Sequence, residues 1–272
     1  MKFLLNWRQV IPTLVTLAAM MSGFFSILVT LESMGKPDPG QYHVWAAQFI
    51  MLAMLLDGLD GNLARWLRGT SEFGDELDTY VDLTAFGIAP ALLIYTVSLQ
   101  SSPAMRVLMT SAVVLSGVLR LSRFKVMDPH RGQHGYSGLP ITVCAGWVAL
   151  FVFISQSDPP VFRSIRSPGQ EELWLTQGPM AGLFLLGILG FIFLQVSNVR
   201  YPKPSKKAIV YIFSVVLVAL LFVPAFKLSM YSAAIMIVLG VSYIVLGPLY
   251  MKRVASRNEG RTDTDPAGTD GD

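Results

Sequence analysis

Four aspartates stand at regular spacing between two long apolar runs of this chain. Asp57 and Asp60 are three residues apart, and Asp78 and Asp82 are four apart. On helices these spacings place each pair on one face. Carboxylates at membrane depth are very costly unless cations meet them. The pattern therefore predicts a membrane protein with a site for divalent metals, which prefer oxygen ligands.

A simpler interpretation exists for acids near helix ends, which are commonly N-caps or solvated loop residues. Asp75 and Glu76 fit that interpretation. The four spaced aspartates together do not, because acids flanked by apolar segments are rare.

Composition sets the class of the chain. It is 53% hydrophobic and only 14% charged, whereas about a quarter of the residues in soluble domains are charged. We predict one polytopic membrane domain over residues 1–255 and a disordered polar tail over residues 256–272. The single cysteine, Cys144, excludes an intramolecular disulfide and is expected in the apolar core.

Eight apolar segments are long enough to be read as helices of a membrane domain. The fold class predicted is an all-α polytopic membrane protein of about eight transmembrane helices, with a metal site between helices 2 and 3. The segments cover residues 10–31, 43–67, 77–99, 103–124, 137–155, 178–198, 207–223 and 229–251.

The distribution of lysine and arginine predicts the orientation. With eight spans both termini lie on one side, and that side collects sixteen of the 21 lysines and arginines. Because cytoplasmic loops are enriched in these residues, we expect the termini and the motif loop 65–76 to face the cytoplasm. The metal site would then face the cytoplasm from a cell (inner) membrane. The longest outer connection, 156–177, is expected to be an exposed loop.

The aspartate segment resembles the signature of the CDP-alcohol phosphatidyltransferase family, D-x-x-D-G-x-x-A-R-x8-G-x3-D-x3-D. The chain reads D-G-L-D-G-N-L-A-R from Asp57 to Arg65 and G-D-E-L-D-T-Y-V-D from Gly74 to Asp82. Every fixed position matches. The resemblance implies transfer of a phosphatidyl group from a CDP-linked lipid to an alcohol. It also implies one or two Mg²⁺ or Mn²⁺ ions, with two expected, held by Asp57, Asp60, Asp78 and Asp82.

The same resemblance assigns roles to individual side chains. Asp82 would take the proton from the acceptor hydroxyl as the catalytic base. The residues that it implies for binding the nucleotide of the CDP-lipid are Thr16, Asp60, Gly61, Ala64, Arg65, Gly74 and Asp78. Two alternatives stay open: the glycines can serve close helix packing, and the Thr16 hydroxyl can bond to its own helix.

Further runs resemble the phosphatidylserine synthase branch of this family. They are S-E-F-G-D-E-L-D at 71–78, F-G-I-A-P at 86–90, L-R-L-S-R-F at 119–124, G-L-P at 138–140 and S-N-V-R-Y-P at 197–202. Lys125 and Thr142 depart from the branch, which has Asn and Pro there. The resemblance implies L-serine as the acceptor. Arg120 and Arg123 are predicted to bind its carboxylate, and the alternative for both is cationic anchoring at the membrane surface.

Other functions remain as alternatives. The acceptor could be glycerol 3-phosphate, inositol phosphate or choline, although choline would call for an aromatic cage. A cation transporter would need acids distributed along a path through the bilayer, and an inactive scaffold would be expected to lack a motif acid. The expected partners are CDP-diacylglycerol, L-serine and membrane lipids, with a homodimer implied by the resemblance. No nucleic acid is expected.

Overall fold

The chain folds as a bundle of helices. The computed structural model describes residues 6–98, 102–127, 136–157, 178–202, 208–223 and 226–262. In these ranges the helices are α1 (Trp7–Glu32), α2 (Gly40–Trp66), α3 (Glu72–Val97), α4 (Pro103–Met127), α5 (Ile141–Gln156), α6 (Gly178–Val196), α7 (Ala208–Leu221) and α8 (Phe226–Thr262). A short antiparallel pair joins β1 (Tyr136–Ser137) to β2 (Arg200–Tyr201).

Five of these helices, α1 to α4 and α8, are long and apolar enough to cross a membrane. The chain is therefore an integral membrane protein. Helices α5, α6 and α7 are apolar as well, but their apolar stretches are shorter than those of the five candidate spans. At 1.5 Å per residue a 16-residue helix such as α5 spans about 24 Å, less than the ~30 Å hydrocarbon core. Each predicted apolar segment coincides with one helix, while the number of eight crossings stays a prediction.

Helix α8 ends later than the predicted boundary between domain and tail. It continues to Thr262, whereas the tail was predicted to begin at residue 256. Arginine and glutamate in this stretch are good helix formers, so a polar composition does not by itself end a helix. Residues 263–272, and residues 158–177 of the predicted outer loop, lie outside the described residues.

Small residues bring the first three helices close together. The Ser22 hydroxyl donates to the Phe49 carbonyl at 2.8 Å, and the Ser26 hydroxyl donates to the Ala46 carbonyl at 2.9 Å, so α1 is bonded to α2. A Cβ added to Gly23 would come within 2.5 Å of the Cβ of Ala85, so α1 also meets α3 without room for a side chain. Such close approach is typical of membrane helices. These contacts hold α1, α2 and α3 together at one side of the bundle.

Helix α3 contains a π-helical segment, Asp82–Ile88, that the apolar pattern did not predict. The Ala89 N–H bonds to the Thr84 carbonyl, five residues back. Pro90 explains this, because proline has no N–H and its ring clashes with the carbonyl four residues earlier. Widening the turn by one residue relieves that clash. π-Helical turns occur frequently at functional sites, and this one begins at Asp82.

Helix α5 is the most enclosed helix of the bundle. Ala145, Val148, Ala149 and Val152 have no exposed surface, and Cys144 is buried as predicted. The N-terminus of α5, which begins after Pro140, faces the space beside α2 and α3.

Candidate active site

A cavity of about 660 Å³ opens between α1, α2, α3, α4, α5 and α8. This volume suits a ligand of ordinary cofactor size. Two of its sides differ in chemistry. The acid wall carries Asp57, Asp60, Asp78 and Asp82 on α2 and α3. The α4–α5 wall carries Arg120 and Phe124 of α4 and residues 140–143 at the start of α5.

Three carboxylates of the acid wall are close enough to share a cation. One oxygen from each of Asp57, Asp60 and Asp78 lies within 4.8 Å of the others. Asp60 is buried, and its Oδ2 has no hydrogen-bond partner among the described residues. Like charges this close repel one another, and the burial of Asp60 adds to the cost. The oxygen donor set fits a hard divalent cation. These three residues could therefore hold a metal ion.

Asp82 lies in the same cavity but outside this group of three. Its carboxylate interacts electrostatically with Asp78 and with Arg120. Asp82 therefore interacts both with an acid of its own wall and with the cation of the α4–α5 wall. Its place as a fourth metal ligand stays a prediction.

The residues predicted to bind the nucleotide all line the cavity: Thr16, Asp60, Gly61, Ala64, Arg65, Gly74 and Asp78. The Thr16 hydroxyl donates to the Pro12 carbonyl at 3.0 Å, which is the bond to its own helix described above, and it also lies beside Asp60. Arg65 Nη2 donates to Asn62 Oδ1 at 2.8 Å, so the guanidinium is held at the cavity edge.

The glycines of the motif differ in what surrounds them. A Cβ on Gly61 would meet only the Arg65 guanidinium, at 3.9 Å, so close helix packing does not explain this glycine. A Cβ on Gly74 would lie 3.3 Å from Ser71 Oγ. Ser71 is this close because its side chain caps α3 by accepting from the Gly74 N–H at 3.1 Å. Gly61 therefore leaves open space against the helix backbone at the cavity.

The loop between α2 and α3 is anchored by a glycine that the motif does not include. A Cβ on Gly69 would lie 1.9 Å from the Arg8 carbonyl oxygen, so no other residue fits there without moving the loop or α1. Gly69 also lines the cavity. The signal in the sequence is only a glycine between the two halves of the motif. Arg8, with which a side chain at this position would clash, is 61 residues away.

On the α4–α5 wall Arg120 is buried, with 6% of its surface exposed, and its guanidinium carbon lies 5.9 Å from the centre of the Phe124 ring. Phe124 and Thr142, which belong to or depart from the branch runs, line the cavity as well, and so does Tyr243, which sequence reasoning missed. They come from three different helices, and nothing in their spacing along the chain relates them.

Arg123 is not among the residues that line the cavity. Its Nη1 donates to the Val196 carbonyl and its Nη2 donates to Asn198 Oδ1 at 2.6 Å. Two residues three positions apart on a helix point in directions that differ by about 60°. This difference turns the Arg123 side chain toward the end of α6. Of the two arginines predicted to bind the acceptor, Arg120 lines the cavity and Arg123 does not.

Several of the branch motifs meet at the end of α6. The Gly138 N–H donates to the Val199 carbonyl at 2.8 Å, and the Leu139 N–H donates to the Leu194 carbonyl at 3.0 Å. Tyr201 in β2 stacks on Tyr243, and burial raises the pKa of the Tyr201 hydroxyl above its ordinary value. The G-L-P turn before α5 is thus fastened to the segment after α6.

Comparison with known proteins shows the family of the chain. The model of the CDP-alcohol phosphatidyltransferase family matches residues 9–178. A protein of Helicobacter pylori is 29% identical over 202 residues, covering 74% of this chain and 76% of its own. One of Methanocaldococcus jannaschii is 33% identical over 184 residues, covering 66% and 76%. One of Bacillus subtilis is 30% identical over 163 residues, covering 60% and 77%. All three are named CDP-diacylglycerol–serine O-phosphatidyltransferase. With the acids of its motif gathered in one cavity inside a helical membrane bundle, the chain belongs to the CDP-alcohol phosphatidyltransferase family.

Proposed function

We propose that this protein transfers the phosphatidyl group of CDP-diacylglycerol to the hydroxyl of L-serine, giving phosphatidylserine and CMP. One observation carries the proposal: a group of three carboxylates shares a cavity with a fourth acid, Asp82, and with a buried arginine, Arg120. The relatives named for this reaction support serine as the acceptor.

The acid wall serves the donor. Asp57, Asp60 and Asp78, with Asp82 beside them, would hold one or two Mg²⁺ or Mn²⁺ ions. When bound, such ions neutralise pyrophosphate charge and stabilise the leaving CMP. The fork of donors on Arg65 suits a phosphate oxygen. The open backbone at Gly61 lets the nucleotide approach α2 closely.

The α4–α5 wall serves the acceptor. The Arg120 guanidinium binds the serine carboxylate in a charge-assisted contact. The serine hydroxyl then lies toward Asp82, which lines the same cavity as Arg120 and interacts with it electrostatically. Asp82 accepts the hydroxyl proton as the serine oxygen bonds to phosphorus, and the bond from that phosphorus to the CMP oxygen breaks. The oxygen of CMP leaves with the electron pair of that bond.

The cavity chemistry also weighs against other acceptors. Among the described residues, the cations that line it are Arg65 and Arg120. A phosphorylated acceptor would add further negative charge to that of the pyrophosphate, and binding both calls for a denser basic pocket. Phe124 and Tyr243 are the aromatic residues along it, which is fewer than a cage for choline uses. A transporter needs acids along a path, and here the motif acids share one cavity.

The excess of lysine and arginine on one side supports a site that faces the cytoplasm from the inner cell membrane, with both termini cytoplasmic. A homodimer rests on the family resemblance alone.

The function is tested with purified protein, Mg²⁺ or Mn²⁺, CDP-diacylglycerol and a panel of acceptors, with the lipid products read by mass spectrometry. We expect phosphatidylserine from L-serine and no phosphatidylglycerophosphate from glycerol 3-phosphate. The matched control is Asp78→Asn, which keeps the size of the side chain and removes a carboxylate of the acid wall. If the protein makes phosphatidylglycerophosphate and no phosphatidylserine, the assignment of serine as acceptor is wrong, while the reaction class stands. If no CMP is released with any acceptor, both the acceptor and the reaction class are wrong.

A further inference from the structure

Arg123 makes a junction between three segments that are far apart in sequence. Its guanidinium donates to the carbonyl of Val196, the last residue of α6, and to the Asn198 side chain. Carbonyls in the last turn of a helix have no partner inside the helix, and a cation there is favourable for the helix dipole. Arg123 thus closes the end of α6 from α4.

The end of α6 in turn holds the turn before α5. Leu194 and Val199 accept the backbone N–H groups of Leu139 and Gly138. Gly138 has φ +78°, and a Cβ there would lie 2.4 Å from the Gln195 carbonyl oxygen, so the turn fits against α6 only with glycine. The position of α6 therefore sets the position of the turn.

The turn leads directly into the cavity. Residues 140–143 line it beside Arg120 and Phe124 of α4. Arg123 lies on the same helix as Arg120 and bonds to the segment that carries the turn. Arg123 therefore links the two parts of the α4–α5 wall through the end of α6, in addition to the direct contact of α4 with Ile141 at Gly117.

We propose that Arg123 is a positioning residue for acceptor binding: with Asn198 it sets the distance between Arg120 and the start of α5, and it does not itself contact serine. This inference rests on the proposed function of the cavity. It differs from the sequence expectation, in which Arg123 binds the serine carboxylate, because it assigns part of the acceptor affinity to Asn198, which does not line the cavity.

The test is steady-state kinetics of the full-length protein with serine and CDP-diacylglycerol each varied. Asn198→Ala removes the acceptor of the Arg123 bond, and we expect the serine KM to rise by about 3–10-fold, the range for one exposed hydrogen bond. Arg123→Ala loses both bonds, and we expect a rise of roughly 10-fold or more. In both variants the KM for CDP-diacylglycerol should stay within about twofold of wild type, while a general loss of packing would change both constants.

Two further variants make the test specific. Asn198→Asp keeps an oxygen for Arg123, and its serine KM should stay near that of wild type. Lys125→Ala is the matched control, since it removes a cation of α4 that pairs with exposed Glu76 at 2.6 Å and not with α6; its serine KM should not change.

A double variant, Arg123→Ala with Asn198→Ala, should be no worse than Arg123→Ala alone, because both changes break one interaction. An unchanged serine KM in Asn198→Ala together with a large rise in Arg123→Ala would return Arg123 to direct serine binding and overturn the inference. Effects of the two single changes that simply add would overturn it as well. In either case wild-type protein that makes phosphatidylserine leaves the proposed function in place.

Discussion

The two walls of the cavity are built in opposite ways. The acid wall comes from α2 and α3, which are consecutive in the chain, and its acids lie within 26 residues of one another. The α4–α5 wall is assembled from separate segments, and α4 is bonded to the segment after α6 by contacts such as that of Arg123 with Asn198, 75 residues apart. The four acids proposed to serve the donor are contained in one local motif. Selection of the acceptor, as we propose it, depends on tertiary contacts between distant segments.

Removal of divalent metal should have the largest effect, because it disables the acid wall as a whole. In excess chelator we expect no measurable transfer, and addition of Mg²⁺ or Mn²⁺ should restore it. CMP release is the measurement. Full turnover in the presence of chelator would mean that the three carboxylates serve another purpose.

Asp82→Asn probes the acid that interacts with both Asp78 and Arg120. If Asp82 is the base, kcat should fall by at least the ~10²-fold typical of a lost general base. Binding of CDP-diacylglycerol should survive, since Asp57, Asp60 and Asp78 remain. Loss of CDP-lipid binding in this variant would instead make Asp82 a ligand of the metal alone.

Arg120→Ala tests the acceptor side by itself. A charge-assisted contact is worth about 1.5–3 kcal/mol, so the serine KM should rise by roughly 10–150-fold. The KM for CDP-diacylglycerol and the melting temperature of the protein are the controls. A serine KM equal to that of wild type would leave Arg120 with a structural role only.

Gly61→Ala should separate ligand binding from stability on the acid wall. The added methyl group meets no protein atom closer than 3.9 Å, and alanine favours helix over glycine by about 0.5–1 kcal/mol, so the protein should unfold no more easily. The KM for CDP-diacylglycerol should rise by about 10-fold, as expected for one methyl group placed in a tightly filled site. A lowered melting temperature with normal KM would assign Gly61 to helix packing.

The difference between the walls also explains which features the sequence predicts. The spacing of Asp57, Asp60 and Asp78 on two helices places their carboxylates together because helical periodicity is local. The eight apolar segments were found for the same reason. Arg120 and Arg123 show the limit: both suit a carboxylate ligand, and only the arrangement of α6 decides that Arg123 faces away from the cavity.

Backbone features were harder to predict. The π-helical segment that begins at Asp82 follows from Pro90 and its neighbours, yet the apolar pattern continues through it without interruption. Gly69 is required by contact with Arg8, which the motif does not include. In both cases the cause is a steric conflict, and hydropathy carries no information about it.

The division of work between the walls is tested most directly by the binding of CDP-diacylglycerol to Asp60→Asn and Arg120→Ala, measured at equilibrium with Mg²⁺ and without acceptor. Asp60 is a buried member of the carboxylate group, and Arg120 belongs to the opposite wall. We predict that Asp60→Asn weakens binding by at least the ~10-fold seen when the support of a metal site is lost, while Arg120→Ala binds as wild type does. Equal loss in the two variants, or normal binding by Asp60→Asn, would contradict the account.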